Sequence, residues 1–277
     1  MTDLHSPSSK PPLPPAYANI QLFFLNCKHL EGLTALPIYC HDVQTILTPL
    51  EEINHDNALI VFISHRGVAF DDADTTLARP QPDSAQNDKF KLLVEAIEKI
   101  MTGISPGMEE CYIWMDCICR SISDLALSPY DRIFECIDLM LTPLHDPSVT
   151  DIPQSKPYDA KPWGYGPEAY LNRMWCRLEM MISTATPMKR YDEIRRAKMS
   201  PAFLLIIDKG FRPHLLYGSF ESKQNLPPLV LPEKSPDFFD TFSPFSGNVS
   251  IASDMHMIKQ YLEQFRSKVI AEQILEV

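Results

Sequence analysis

Hydrophobic and polar positions alternate between two patterns across the middle of the chain. Leu59–Ile63 and Tyr112–Met115 are unbroken apolar runs, as expected of strands that are buried on both faces. A third strand is predicted over Ile137–Leu144. Between the first two strands, apolar residues recur at helical spacing up to Gly103, at Phe90, Leu93, Val94, Ile97, Ile100 and Met101. Strand–helix alternation predicts an α/β fold with a parallel sheet and helices on both faces.

A later helix carries the most informative polar position. Gly166-Pro167-Glu168 predicts the start of this helix, and Pro187 predicts its end. Trp175 and Glu179 are four residues apart, so on a helix they open onto the same patch. An acid beside an aromatic ring can hold a flat ligand and act on the sugar attached to it. The alternative is an amphipathic helix whose border glutamate is solvated.

The chain before the first strand has weaker patterns. Residues 1–16 are rich in proline and predict a disordered, polyproline-type tail. Residues 17–57 are interpreted as an N-terminal extension that packs on the core. Within it, Ile20–Leu25 is a possible edge strand, and Asp42–Ile53 has weak helical spacing.

Residues 58–186 are interpreted as the central domain, and residues 187–277 as a C-terminal extension packed on it. Inside the domain, Ser128–Asp131 has the signals of a helix start: a capping serine, a proline and an acid. In the extension, Phe203–Ile207 fits either a strand or the end of a helix. Met255–Phe265 returns to a helical pattern.

The composition excludes several classes of protein. A formal net charge of −11 argues against nucleic acid, because phosphate binding needs a basic surface. No apolar run is long enough to cross a bilayer, and residues 1–10 lack the apolar core of a secretion signal. Seven cysteines without a repeated spacing do not suggest a disulfide framework, and Cys117 and Cys119 lack a second pair for zinc. We therefore expect a cytoplasmic protein without a metal or a membrane span.

Polar residues follow two of the predicted strands. Ser64, His65 and Arg66 come directly after the first strand, and Asp116 ends the second. In open α/β sheets, ligands bind in the crevice beyond the carboxyl ends of the strands. The sequence therefore predicts a functional site at this edge of the sheet.

Three segments, in this order, resemble the TIR (Toll/interleukin-1 receptor) domain family. Val61-Phe62-Ile63-Ser64-His65-Arg66-Gly67 resembles the first strand and its loop, which in plant members reads V-F-L-S-F-R-G. Ile113-Trp114-Met115-Asp116 resembles the second strand and the start of its loop, and Trp175-Cys176-Arg177-Leu178-Glu179 resembles the W-C-L-x-E-L helix. TIR-like domains that read roughly I-S-H-R-W, W-x-D-x-x-C-I and R-x-W-C-R-x-E are closer still. The resemblance spans residues 58–186 and implies a flavodoxin-like, TIR-like fold.

The resemblance also implies a function. Many TIR domains cleave the nicotinamide–ribose bond of NAD with their motif glutamate, which corresponds to Glu179; others are scaffolds that bind one another. It therefore implies an NAD glycohydrolase that forms nicotinamide and linear or cyclic ADP-ribose, with NAD as substrate and no cofactor. The implied substrate-binding residues are Ser64, His65, Arg66, Asp116 and Trp175. The alternatives are a non-catalytic TIR-like interaction module that forms homo-oligomers, and an enzyme that transfers the sugar of a nucleoside or nucleotide.

The chain departs from the plant pattern in its loops. Val68 stands where an acid is expected, and the loop after Asp116 lacks the common glycine. The segment 145–166 intervenes before the glutamate helix. These departures concern the substrate loops and any assembly surface more than Glu179.

Each candidate residue also has a structural interpretation. Trp175 fits a core anchor, His65 a hydrogen-bonded structural histidine, and Asp116 the cap of a turn. Arg66 fits a salt bridge with the acids at Asp71–Asp74. The sequence leaves both interpretations open for these residues.

Overall fold

The structure is a computed structural model. It describes residues 21–39, 41–65, 83, 87–103, 107–119, 132–134, 136–145, 173–185, 202–207, 213–215, 243–247 and 252–275. Residues 1–16, Arg66 and the predicted helix start at Ser128–Asp131 lie outside these ranges.

The described strands form one seven-stranded mixed sheet. Its parallel part consists of β3 (Ala58–Ile63), β4 (Glu110–Trp114), β5 (Leu139–His145) and β6 (Ala202–Ile207). Antiparallel strands extend both sides: β1 (Phe23–Asn26) and β2 (Leu47–Pro49) next to β4, and β7 (Pro213–Leu215) next to β6. The order across the sheet is β2-β1-β4-β3-β5-β6-β7.

The α/β class is confirmed, and the sheet that we expect to be parallel is mixed, because antiparallel strands flank its parallel part. The stretch interpreted as an edge strand forms β1, but β1 is not at the edge of the sheet. It lies between β2 and β4, and both of its backbone edges are paired. Leu25 is opposite Ile113 on one side, and Phe24 is opposite Thr48 on the other. Phe24 and Leu25 are fully buried, so this N-terminal part of the chain contributes to the core.

The centre of the sheet is β3, whose six residues are all buried. Its apolar run is covered on both edges, since Phe62 is in register with Trp114 on β4 and with Met140 on β5. The rings of Phe62 and Trp114 stack with their centroids 5.2 Å apart. Strand predictions at the three apolar runs are therefore confirmed, and the position of β3 explains why its run is unbroken.

The segment Asp42–Ile53, predicted as weakly helical, divides into three short elements. These are α1 (His41–Gln44), β2 and a turn of 3-10 helix over Leu50–Glu52. Pro49 cannot donate a hydrogen bond to a continuing helix. The Leu50 amide instead donates to the Leu22 carbonyl at 2.8 Å, which ties this segment to the chain before β1.

The helix after β3 is α2 (Asp88–Gly103), and it ends at the predicted glycine. Asp83 stabilises its start, because its carboxylate accepts hydrogen bonds from the amides of Lys89 (2.9 Å) and Phe90 (2.7 Å). These amides belong to the first turn, where no helical carbonyl is available to accept. After β4, the short helix α3 (Asp116–Cys119) begins immediately.

Two helices of the C-terminal half complete the described fold, α4 (Met174–Ala185) and α5 (Ala252–Leu275). The predicted helix start at Gly166–Glu168 lies outside the described residues; α4 itself begins at Met174, directly after a β-bridge at Arg173. α4 ends two residues before Pro187, as predicted. No described helix combines the length and apolar character needed to cross a membrane.

Candidate functional site

The ends of β3 and β4 bring His65 and Asp116 together. The two strands are parallel and in register through Phe62 and Trp114, so the residues that follow them emerge at the same edge of the sheet. His65 Nε2 lies 2.6 Å from Asp116 Oδ1. The His65 side chain is 6% exposed, whereas that of Asp116 is 52% exposed. The pair therefore runs from the interior to the surface.

The preceding residue, Ser64, contacts a different element. Its amide donates to the Leu141 carbonyl at 2.9 Å and continues the hydrogen bonding between β3 and β5. Its hydroxyl donates to Glu179 Oε2, and both residues are buried. Leu178 and Ile182 on α4 are also buried and fix the helix against the core. The fold thus presents the Glu179 carboxylate at the carboxyl end of the central strand.

A third side chain, the buried Lys89, contacts the other ring nitrogen of His65. The sequence did not predict this residue as part of the site. Lys89 is in the first turn of α2, and its Nζ lies 3.2 Å from His65 Nδ1. The Asp116 carboxylate can only accept a hydrogen bond, so His65 Nε2 carries a proton and donates to it. The three side chains form one continuous chain of polar contacts.

The pKa values of Lys89 and Asp116 favour charged side chains at both ends of this row of contacts. Burial lowers the pKa of Lys89 to about 8, although the negative charges of Asp83 and Asp116 oppose that shift. Burial also acts to raise the pKa of Asp116, but the charge and hydrogen bond of His65 and the Cys117 amide outweigh it, and the pKa is lowered. At neutral pH, Lys89 is therefore mainly an ammonium and Asp116 a carboxylate.

Trp175 has its polar contact away from these groups. The indole Nε1 donates to Asp254 Oδ2 of α5 at 2.8 Å, and the side chain packs against the hydrophobic core. The pairing of Trp175 with Glu179 on one ligand-binding patch stays a prediction. The contact with α5 agrees with the anchor interpretation.

The donor atoms of His65, Asp116 and Cys117 lie within 4.8 Å of one another and resemble a metal-binding set. No motif spacing in the sequence predicts this set, because it is assembled from the ends of two strands. The hydrogen-bond chain places a proton, rather than a free lone pair, on His65 Nε2. Burial also raises the pKa of the Cys117 thiol. A metal ion at this set would have to displace the proton on His65 Nε2 and the thiol proton of Cys117.

One signal in the sequence pointed to Lys89. It precedes the buried Leu93 by four residues and Ile97 by eight, so it lies on the apolar face of α2. A lysine on such a face is either buried with partners or extends to solvent, and in this structure it is 4% exposed. Which partners it meets depends on the ends of β3 and β4, which helical spacing does not specify.

No protein-family model, curated protein or solved structure matches this chain.

Proposed function

We propose that this protein is an NAD glycohydrolase in which the Glu179 carboxylate stabilises the developing positive charge on the ribose. The observation that carries the proposal is the hydrogen bond from Ser64 to Glu179 at the end of β3. This bond joins the first and third of the motif segments that resemble TIR domains. It gives the motif glutamate a defined orientation at the edge of the sheet where α/β proteins bind ligands.

The strand order supports a flavodoxin-like, TIR-like fold for the proposed enzyme. Across the sheet, the four parallel strands lie in the order β4-β3-β5-β6. When these strands are numbered along the chain, the order is 2-1-3-4. This is the beginning of the flavodoxin-like order 2-1-3-4-5. In that order, the chain crosses to opposite sides of the first strand, and a crevice opens beside it. Ser64 and His65 follow that first strand.

The chemistry requires one well-placed carboxylate. Cleavage of the nicotinamide–ribose bond gives the sugar carbon oxocarbenium character, which a nearby carboxylate stabilises as in glycoside hydrolysis. Glu179 is only 8% exposed, and a charge removed from water interacts more strongly with a developing charge of opposite sign. Nicotinamide leaves as a neutral ring, so no strong general acid is needed. Water then forms a bond to the same carbon and loses a proton to solvent, which completes the formation of ADP-ribose.

Two further observations fit the proposed setting. The half-exposed Asp116 carboxylate stands beside His65 at the same strand edge and can accept hydrogen bonds from sugar hydroxyls. All six described cysteines are free thiols, which fits the reducing cytoplasm we propose.

Nicotinamide release from NAD by the purified full chain tests the proposal. Glu179→Gln keeps the shape and a hydrogen-bond acceptor but removes the charge, so we expect release to fall by about 10²–10³-fold. Glu98→Gln is the matched control, because Glu98 is an exposed acid on α2, and it should leave the rate unchanged. Turnover that survives Glu179→Gln in a folded protein would contradict the mechanism.

A second candidate is a non-catalytic TIR-like module that assembles into homo-oligomers. The burial of Glu179 and its bond to Ser64 favour this candidate, since the same contact can simply hold α4 on β3. This candidate predicts self-association without nicotinamide release at any protein concentration. It also predicts that Glu179→Gln changes the thermal midpoint of unfolding but has no activity to change.

A further inference from the structure

Three donor atoms of different elements meet at the carboxyl ends of β3 and β4. His65 offers a ring nitrogen, Asp116 a carboxylate oxygen and Cys117 a sulfur, and the three atoms lie within 4.8 Å of one another. From the sequence we expect no zinc site, because Cys117 and Cys119 lack a second pair. The fold supplies other donors, since the parallel register of β3 and β4 places His65 beside Asp116.

The donor chemistry selects the class of cation. Mg²⁺ and Ca²⁺ are held mainly by oxygen ligands, whereas Zn²⁺ takes nitrogen, sulfur and carboxylate oxygen in one site. Three protein ligands with a fourth position for water are typical of an open zinc site. The Asp116 side chain is 52% exposed, so a fourth ligand can reach the metal from solvent on that side. The His65 side chain is 6% exposed, which holds the other side of the set in the interior.

The distances between the donors require small movements for metal binding. With bonds of about 2.0–2.3 Å and tetrahedral angles, two ligand atoms on one zinc ion lie roughly 3.3–3.7 Å apart. His65 Nε2 and Asp116 Oδ1 are 2.6 Å apart, so they have to separate by about 0.7 Å when a metal replaces the proton between them. The Cys117 sulfur has to approach by roughly 1.2 Å at most. Rotation about side-chain bonds supplies movements of this size.

The surroundings of the set can accommodate a dication although Lys89 is close. Its Nζ lies 3.2 Å from His65 Nδ1, and its ammonium repels a metal ion on the other ring nitrogen. The charges of Asp83 and Asp116 act on Lys89 with the opposite sign. Zn²⁺ with Cys117 as a thiolate adds one net positive charge. The two carboxylates therefore match the ammonium and the zinc–thiolate pair in charge.

We propose that His65, Asp116 and Cys117 bind a zinc ion and leave one coordination position open to water or to an oxygen atom of a ligand. The binding of zinc requires neither Glu179 nor a nucleotide, so the site is independent of NAD cleavage. Bound zinc uses the carboxylate that the proposed function offers to sugar hydroxyls. The two ligands therefore compete for Asp116 where both are present.

Cobalt absorption tests the sulfur ligand in the full chain. Co²⁺ accepts the same ligands as Zn²⁺, and a cobalt–thiolate bond absorbs in the near ultraviolet. We expect the reduced, metal-free protein to gain this absorption with one equivalent of Co²⁺ and to lose it when Zn²⁺ is added. Cys117→Ser should not gain it. Cys119→Ser is the matched control and should gain it, because the Cys119 thiol donates to the Ile113 carbonyl and is not in the set.

The cobalt result has two outcomes that would overturn the site. One is a wild-type protein without the thiolate absorption, and the other is the same absorption in Cys117→Ser. Far-ultraviolet circular dichroism before each titration shows whether a variant is folded. If a buried substitution unfolds the chain, Asp116→Asn at its half-exposed position carries the test.

Calorimetric titration with Zn²⁺ tests the other two ligands. Asp116→Asn keeps the size of the side chain and removes its charge, so zinc binding should weaken by at least about tenfold. His65→Gln should have a similar effect. Glu98→Gln is the control, because Glu98 is an exposed acid on α2 outside the set, and it should bind zinc like the wild type. Equal affinities in the wild type and in Asp116→Asn, or displacement of zinc by an excess of Mg²⁺, would overturn the site.

These titrations contain no nucleotide, so they separate the metal site from the proposed function. If NAD is cleaved but the three ligand variants bind zinc like the wild type, the metal site fails and the enzymatic proposal stands. If one zinc ion binds through the three ligands and no nicotinamide is released, the enzymatic proposal fails and the metal site stands.

Discussion

At the scale of single residues, the buried ammonium group of Lys89 is a charge that costs stability. Lys89 is buried, and burial lowers the pKa of its ammonium from 10.5 to about 8. A lowered lysine pKa means that the folded state binds the proton less tightly than the unfolded chain does. The folded protein therefore carries an energetic cost below pH 8. Such costs are common at functional sites.

Lys89→Met should stabilise the protein at neutral pH. The difference in pKa corresponds to a cost of about 3 kcal/mol, an upper limit because the substitution also removes the bond to His65. Between about pH 8 and 10.5 the folded state loses this proton first, so the cost disappears as the pH rises. The free energies of unfolding of wild type and variant should therefore converge over that range. Urea titrations at pH 7 and pH 10 measure this, with Lys91→Met as the control; a variant that is less stable at pH 7 would contradict the prediction.

At the scale of elements, α4 is held on the sheet from one side and by the C-terminal segment from the other. Arg177 Nε donates to the Ser243 carbonyl at 2.8 Å, and the Trp175 indole donates to Asp254 on α5. Gly247 approaches the first residue of α4 so closely that an added Cβ would lie 2.7 Å from the Met174 amide nitrogen. The C-terminal segment thus fixes the start of the helix that presents Glu179.

Gly247→Ala should loosen this contact. The new methyl group would meet the backbone of Arg173 and Met174, which cannot move aside as a flexible side chain can, so we expect a loss of roughly 1–3 kcal/mol of stability. Gly107→Ala is the matched control, because a Cβ there has no neighbour within 4 Å. Thermal unfolding of both variants tests the contact. Equal midpoints for the two variants would show that the close approach does not contribute to stability.

At the scale of the whole molecule, apolar runs and helical spacing predicted most of the parallel core. β3, β4, β5 and α2 follow from local sequence because each is a long, strongly patterned segment. The position of β1 does not follow, since its antiparallel pairing with β4 is a tertiary choice between available edges. The Ser64–Glu179 bond joins residues 115 positions apart. The sequence indicates both residues as candidates, but it does not predict that they are in contact.

The free cysteines give a prediction for the intact fold. Burial raises the pKa of Cys119 to about 12, and burial is also the main cause that raises the pKa of Cys27 and Cys117. Thiolates are the reactive form, so these residues should alkylate slowly with iodoacetamide at pH 8 in the native protein and rapidly in denaturant. Peptide mass spectrometry measures the extent at each site. Rapid native labelling of Cys119, or disulfide-linked peptides from any of the three, would contradict the described packing.

The proposed function requires that Glu179 acts on NAD. The most direct measurement is nicotinamide release by the wild type and by Glu179→Gln over a range of protein concentrations, which also reveals any need for assembly. We expect release by the wild type and a loss of about 10²–10³-fold in the variant at every concentration where the wild type is active. Equal release by the two proteins, or none by the wild type at any concentration, would contradict it.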